Sequence, residues 1–143
     1  MTLGYHAAMA GRAIIVHSLE DARAALAAAA ALGVPVTLAS APGAAGYLGA
    51  LWFREMIALA AAERPEVQVS ALIDCGDKPG HVMAALRQGM KTIRFTGPKA
   101  TARTLAALAD RYGAKIVTAP VEACDLLDEP RPEAACRAWL AKA

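Results

Sequence analysis

The sequence predicts an α/β domain built on a parallel sheet, and three observations support this. Short β-branched runs alternate with longer helical patterns five times along the 143 residues. Such alternation requires a parallel sheet with right-handed crossover connections. The strand runs are largely apolar, as in strands that are covered on both faces. One face of two successive strands is polar, and this third feature separates two possible architectures.

That polar face favours an incomplete (β/α) barrel of the TIM type. By the period-two rule, Gln68, Ser70 and Asp74 share one face of the third strand. Thr92 and Arg94 likewise share a face of the fourth strand. The alternative is an open, doubly wound, flavodoxin-like three-layer sandwich, in which both faces of the sheet should be apolar. Five strands cannot close an eight-stranded barrel, so we expect a sheet with open edges.

A short apolar run bounded by turn residues predicts each strand. The predicted strands are 13–17, 35–39, 67–73, 91–96 and 115–118. Residues 1–143 should form a single domain, because the length suffices for a core and no low-complexity linker divides the chain. Residues 1–11 are expected to be a loose lead-in. Residues 120–143 should form an acidic, proline-punctuated loop and a final helix from Pro132.

The helix boundaries follow from capping signals. Ser18 with Asp21 three residues later resembles a capping box, and Gly33 ends the first helix. The third helix is predicted at about 79–88, with Asp77 as its N-cap. The second and fourth helices are expected around 51–63 and 98–112.

Composition excludes several classes of function. A formal net charge of +2 is too small to indicate nucleic-acid binding, and 57% hydrophobic with 20% charged residues is a globular balance. The apolar run Ala24–Leu32 is too short to span a membrane, and the amino terminus lacks a signal-peptide pattern. We therefore expect a cytoplasmic protein with neither a nucleic-acid nor a membrane partner.

Cysteine and histidine usage predicts no metal site and no cofactor. The cysteines Cys75, Cys124 and Cys136 show no CxxC spacing, which is typical of reduced thiols. Three scattered histidines and no clustered carboxylates provide no ligand set.

Candidate site residues gather where the predicted strands end, because ligands of parallel α/β folds bind at the carboxyl ends of strands. This rule selects residues that follow four of the strands. The candidate ligand-binding residues are His17, Ser40, Gly43, Gly46, Asp77, Thr96, Gly97 and Lys99. The glycine-rich loop at 43–49 could present backbone N–H groups to a phosphate, or could serve only tight helix packing.

The densest polar cluster is DCGDKPG, residues 74–80. Asp74 is a candidate general base, and Lys78 and Arg94 complete the predicted catalytic set. If the third and fourth strands are neighbours, Asp74 could pair with Arg94 and orient it toward an anionic substrate. A purely structural ion pair, and a merely capping Asp77, remain the alternatives.

The run HVMAALRQGMKTIRFTGPKA, residues 81–100 and above all Val82 to Phe95, resembles a helix–strand segment of the 2-keto-3-deoxy-6-phosphogluconate aldolases. The resemblance implies a (β/α) barrel and an anionic ligand. In that family a strand lysine forms a Schiff base with a keto acid, and here Arg94 occupies its position. Arginine stays protonated and cannot act as an amine nucleophile. If the protein is an enzyme, the resemblance therefore implies an aldolase-like lyase or isomerase without that lysine.

Two functions remain open from the sequence. The first is a small-molecule-binding domain, a lyase-like or remnant enzyme that acts on a phosphorylated or carboxylate-bearing metabolite. The second is a non-catalytic oligomerising or ligand-sensing domain. For the first, Arg94→Met is expected to weaken anion binding by about 2–5 kcal/mol. In either case open strand edges and the apolar pair Trp52-Phe53 predict a homo-oligomer.

Overall fold

The computed structural model describes residues 9–142, so most of the predicted lead-in at 1–11 lies outside the described residues. Strands and helices alternate through most of the chain. The elements are β1 (Arg12–Ile15), α1 (Leu19–Leu32), β2 (Val36–Ala39), a 3₁₀ turn (Ala44–Gly46), α2 (Ala50–Ala62), β3 (Val69–Asp74), α3 (Pro79–Arg87), β4 (Thr92–Arg94), α4 (Lys99–Arg111), β5 (Lys115–Val117), β6 (Ala123–Asp125) and α5 (Pro132–Leu140). No helix in this part of the chain is long and apolar enough to cross a membrane.

All strands are parallel and form one sheet in the order β5-β4-β3-β2-β1-β6. Sequential strands are neighbours from β1 to β5, and the described strands do not close into a ring. The predicted open α/β sheet is confirmed. The expected number of five strands is wrong, because β6 pairs with the free edge of β1. Its three residues, Ala123 to Asp125, are too few to produce a readable period in an acidic segment.

The helices form a single row over one face of the sheet. α1 contacts both α2 and α5, α2 contacts α3, and α3 contacts α4. Each helix from α1 to α4 connects two strands that are neighbours in the sheet. Because such connections share one hand, they place these helices on the same face. This arrangement is that of an open barrel, with the helices outside, and it differs from the two helical layers of the doubly wound alternative.

Side chains on the helix-covered face make the hydrophobic core. Ile14, Leu38, Ile73 and Ile93 belong to it, one from each of four neighbouring strands. The alanines of α1 are buried against them, which lets this helix approach closely. Ser18 is the N-cap of α1, because its hydroxyl accepts a hydrogen bond from Asp21 N at 3.1 Å.

The opposite face of the sheet is buried but polar. Thr37, Ser70 and Thr92 are at most 1% exposed. Ala10 covers the amino ends of their strands, because its N–H donates to Ser70 Oγ at 2.7 Å and its carbonyl accepts from Thr37 Oγ1 at 2.8 Å. The polar face that the sequence predicted is thus the interior of the open barrel.

Residues 118–122, here called the return segment, connect β5 to β6. β6 is parallel to β5, so this segment must run from the carboxyl end of the sheet back to its amino end. The Ala119 carbonyl accepts a hydrogen bond from Arg94 Nη1. Val121 lines the same small cavity as Ile15 and Leu72. The return segment therefore occupies the barrel interior on the side where further strands would complete a ring.

Candidate functional site

The carboxyl edge of the sheet brings Asp74 and Arg94 together. They are register partners on β3 and β4, and Arg94 Nε lies 3.3 Å from Asp74 Oδ2. The Asp74 side chain is only 10% exposed, and the Arg94 side chain is only 20% exposed. The pair forms because both residues point to the interior face, as period-two alternation dictates.

Both oxygens of the Asp74 carboxylate contact protein groups. Its Oδ1 accepts hydrogen bonds from Gly43 N at 2.9 Å and Gly76 N at 2.8 Å, while Oδ2 faces Arg94. The Ser40 hydroxyl accepts from the backbone N–H of Asp74 at 2.9 Å. The glycine-rich loop thus uses the Gly43 N–H to hold a carboxylate of the chain itself. Arg94 is the only described group that contacts Oδ2.

The interior cavity at this pair is small. It is lined by Asp74, Arg94 and Ser40 with apolar neighbours from β1, β3 and the return segment, and its volume is about 70 Å³. Small-molecule sites occupy roughly 300–1,000 Å³, and one liquid water takes about 30 Å³. The cavity therefore has room for about two waters and not for a sugar.

Asp77 and Lys78 lie outside this cluster. Both side chains are about two thirds exposed, and Lys78 Nζ is 3.5 Å from Asp77 Oδ1. The predicted N-cap role of Asp77 is wrong, because Lys78 occupies the cap position of α3 and the cap has no side-chain hydrogen bond. Gly46 stacks near the His81 ring, where an added Cβ would lie 3.2 Å from Cε1.

A larger groove of about 580 Å³ opens beside β4, β5 and the start of α4. Three predicted ligand residues line it: Thr96, Gly97 and Lys99. Its complete lining is Phe95, Thr96, Gly97, Lys99, Ala102, Arg103, Ala106, Ile116 and Thr118. Arg103 is not among the predicted ligand residues, although its position four residues after Lys99 on α4 puts both cations on one helix face.

Gly97 is required by close packing in this groove. A Cβ at this position would lie 2.3 Å from Cζ of the fully buried Phe95 ring. The bare backbone of Gly97 therefore packs directly on the buried Phe95 ring.

His17 pairs with Asp125 across the ends of β1 and β6. His17 Nε2 lies 2.6 Å from Asp125 Oδ1. Partial burial acts to raise the pKa of Asp125, but hydrogen bonds from His17 and the backbone N–H of Leu127 outweigh it and lower the pKa. The sequence does not indicate Asp125 as a site residue, because the three residues of β6 show no strand period.

The cysteines are free thiols, as predicted. Cys75 is 1% exposed, and burial, with a smaller contribution from the Asp74 carboxylate, raises its pKa to about 12. A protonated, buried thiol is a poor nucleophile and a poor metal ligand. Within residues 9–142, no group of three or more His, Cys, Asp and Glu side chains is placed to hold a metal ion.

The chain is similar to known aldolases over part of their length. Fructose-bisphosphate aldolase of Xanthobacter flavus is 33% identical over 82 residues, which cover 57% of this chain and 23% of that protein. A crystal structure assigned as a fructose-1,6-bisphosphate aldolase of Coccidioides immitis superposes with a TM-score of 0.62 at 23% identity. That match covers 76% of this chain and 40% of the other, and it supports the barrel-type fold alone.

The family model of class-II fructose-bisphosphate aldolase matches residues 4–112, well over half of the chain. The resemblance of residues 81–100 to aldolases is thus supported at the level of an aldolase family, but its assignment to the 2-keto-3-deoxy-6-phosphogluconate aldolases is not. The chain belongs to the class-II fructose-bisphosphate aldolase family.

Proposed function

We propose that this protein binds a phosphorylated sugar, or a related carboxylate-bearing metabolite, in the groove beside α4, and that it does not cleave it. The observation that carries the proposal is the groove itself. Its volume of about 580 Å³ lies within the range of small-molecule sites, whereas the interior cavity of about 70 Å³ does not.

The charge of the groove favours an anion. Lys99 begins α4, so its ammonium adds to the partial positive charge of the helix amino terminus. Arg103 lies one turn later, and like charges four residues apart repel each other. Both residues are exposed, and neither forms an ion pair within residues 9–142. A phosphate would relieve this repulsion and bond to both side chains.

The remaining lining suits a small polyol. Thr96 and Thr118 offer hydroxyl groups that can both donate and accept hydrogen bonds. Ile116 provides a partly exposed apolar surface for a carbon chain, above the buried Phe95 ring. The relatives carry the name fructose-bisphosphate aldolase, which supports a sugar phosphate over other anions.

The polar residues at the strand ends argue against cleavage. Asp74 accepts two backbone hydrogen bonds through Oδ1, and its Oδ2 pairs with Arg94, so both carboxylate oxygens already contact protein groups. Lys78 is exposed and pairs with Asp77, away from the cavity.

The class-II designation implies a divalent metal ion, which as a Lewis acid would polarise a carbonyl group. The described residues do not fit that ion: they provide no cluster of three ligands, and the thiol next to Asp74 keeps its proton. The matched segments cover 23% of the curated relative and 40% of the solved one. We infer a remnant of the aldolase that retains ligand binding.

Calorimetric titration with fructose 1,6-bisphosphate and with inorganic phosphate tests this proposal. Lys99→Met and Arg103→Met should each weaken binding by about 10–100-fold, the usual loss for a charged partner. Arg111→Met is the matched control, because it removes an exposed cation at the far end of the same helix. Its affinity should stay within about twofold of wild type.

A parallel assay follows cleavage of fructose 1,6-bisphosphate into triose phosphates, with and without added divalent ions. No turnover above background is expected. Absence of binding at millimolar concentration, or equal binding by all three variants, would contradict the groove as the ligand site. If Arg94→Met alone abolished binding, the ligand would instead enter the barrel interior. Measurable turnover would show that the protein is an active lyase.

A further inference from the structure

We propose that a pocket at the amino end of the barrel binds a small α-amino acid, with Arg12 on its carboxylate and Glu122 on its ammonium group. The pocket has a volume of about 230 Å³ and lies between β1, the return segment and α5. Arg12 begins β1 and Glu122 directly precedes β6, so the pocket lies at the opposite end of the sheet from the groove beside α4. The proposal is therefore independent of the sugar-phosphate site.

Trp139 holds the Arg12 head group at the wall of this pocket. The indole N–H of Trp139 donates to the Ala13 carbonyl at 2.8 Å, which fixes the ring against β1. The guanidinium carbon of Arg12 lies 3.6 Å from the ring centroid, in a cation–π contact. A ring that covers one face of a guanidinium leaves its N–H groups free, because they point outward in the plane. The Arg12 head group is thus held in place and can still donate hydrogen bonds.

Arg12 lacks an acidic partner within the described chain. No ion pair formed within residues 9–142 includes it. Its Nε is buried, so the terminal nitrogens Nη1 and Nη2 are the donors that can serve a ligand. Two N–H groups of this kind bind a carboxylate in a bidentate manner. A carboxylate is therefore the complement that the Arg12 head group lacks.

Glu122 lines the same pocket without forming an ion pair with Arg12. The two opposite charges are therefore separated by the space of the pocket. A zwitterion suits such a gap, because its carboxylate faces the cation while its ammonium group faces the anion. Inorganic phosphate would bring negative charge to Glu122, and a simple amine would bring positive charge to Arg12. The two charges together thus select an α-amino acid.

The size and the remaining lining of the pocket limit the side chain of this amino acid. A volume of about 230 Å³ corresponds to about seven waters at ~30 Å³ each, which suits a molecule of the size of valine. Met9, Pro120 and Val121 add apolar surface to the lining. Burial against apolar surface favours a short aliphatic side chain over a charged one. L-Valine is therefore the probe of choice.

An NMR titration of the ¹⁵N-labelled full chain with L-valine tests the proposal. Of the two tryptophans, Trp139 lines the pocket and Trp52 lies on α2, so the Trp52 indole signal is an internal control. L-Valine should shift the Trp139 indole signal in a saturable manner and leave the Trp52 signal in place. Isovalerate lacks the ammonium group and isobutylamine lacks the carboxylate, so each should bind roughly 10-fold or more weakly than L-valine.

Variants of the two charged residues separate their roles. Arg12→Met should weaken L-valine binding by roughly 10–100-fold, and Arg12→Lys should restore only part of the loss, because lysine lacks the planar fork. Glu122→Gln should weaken L-valine binding by about 10-fold without weakening isovalerate binding. Lys142→Met is the matched control, because Lys142 Nζ also lies over the Trp139 ring, 5.4 Å from its centroid, but does not line the pocket. Its affinity should stay within about threefold of wild type.

A Trp139 signal that stays unchanged at about 20 mM L-valine would overturn the proposal. So would equal affinities for L-valine and isovalerate, or an equal loss of affinity in Arg12→Met and Lys142→Met. The dispersion of the amide signals shows whether each variant is folded. Should Arg12→Met fail to fold, Arg12→Lys and Glu122→Gln provide the test, and wild-type affinity in both would contradict the assigned site.

Discussion

Arg94 stands opposite Asp74 in the parallel register of β4 and β3, with its guanidinium Nε 3.3 Å from the Asp74 carboxylate. The arginine also donates to the Ala119 carbonyl in the return segment. It thus ties three pieces of chain together in the barrel interior: β3, β4 and the segment that crosses the open side. The same two residues that the sequence selected for catalysis are joined in a structural connection.

A double-mutant cycle on this pair should reveal strong coupling. Asp74→Asn and Arg94→Met should each destabilise the fold by about 1–3 kcal/mol, because each leaves a partly buried partner unpaired. The double variant should cost less than the sum, with a coupling energy of about 1–2 kcal/mol. Urea unfolding followed by circular dichroism measures all three values. Strict additivity would show that the two groups do not interact in solution.

Gly97→Ala should destabilise the protein by about 1–3 kcal/mol, because the added methyl would overlap the buried Phe95 ring. The comparison is Gly80→Ala in the first turn of α3, where a Cβ meets nothing within 4 Å. That change should stabilise the helix by roughly 0.5–1 kcal/mol. Thermal unfolding of the two variants should therefore shift in opposite directions. Equal shifts would mean that Phe95 moves aside without cost.

The buried Cys75 thiol should make stability fall at high pH. Its pKa is raised from 9.0 to about 12 in the fold, so the folded state keeps the proton longer than the unfolded chain does. The stabilising contribution is complete below pH 9 and is lost as the pH rises toward 12. The stability difference between wild type and Cys75→Ala should shrink by about 1.4 kcal/mol per pH unit above pH 9.

Chemical denaturation of wild type and Cys75→Ala at pH 8, 9.5 and 10.5 measures this difference. The contributions of the other titrating groups cancel, because both proteins contain them. A constant difference would indicate a thiolate in the native state.

The Cys75 thiol should be dispensable for ligand binding. If Cys75→Ser abolished binding while the fold remained intact, Cys75 would belong to the site.

Ser18→Ala should destabilise the protein by about 1 kcal/mol, because the N-cap of α1 loses the acceptor for Asp21 N. Ser18→Asn, which keeps an acceptor of similar reach, should restore most of the loss. Equilibrium unfolding of the two variants provides the measurement. If both variants lost the same stability, the cap would contribute nothing measurable.

Much of the fold was predictable from local patterns. Five of the six described strands and the start of α1 follow from β-branched runs, a capping serine and helix-ending glycines, since these signals act within a few residues. The polar face through Ser70 and Asp74 also correctly predicted a barrel-like interior. β6 was not predictable, because its three residues become a strand only by pairing with the edge of β1.

The candidate site was only partly predictable. Strand-end positions correctly brought Asp74 beside Arg94, since register in a parallel sheet follows from alternation. No local signal could show that the backbone N–H of Gly43, 31 residues away in sequence, would engage the Asp74 carboxylate. Nor could one show that residues 118–122 would enter the barrel interior.

The sequence by itself determined the order of strands and helices, the polar interior face and the free thiols, because these depend on periodicity and on residue type. Only the tertiary structure decided which polar groups are available for a ligand. Asp74 is engaged by backbone and arginine, Lys78 is exposed to solvent, and Lys99 lines an open groove with Arg103. Availability depends on contacts between distant segments, and the identity of a single residue does not encode those contacts.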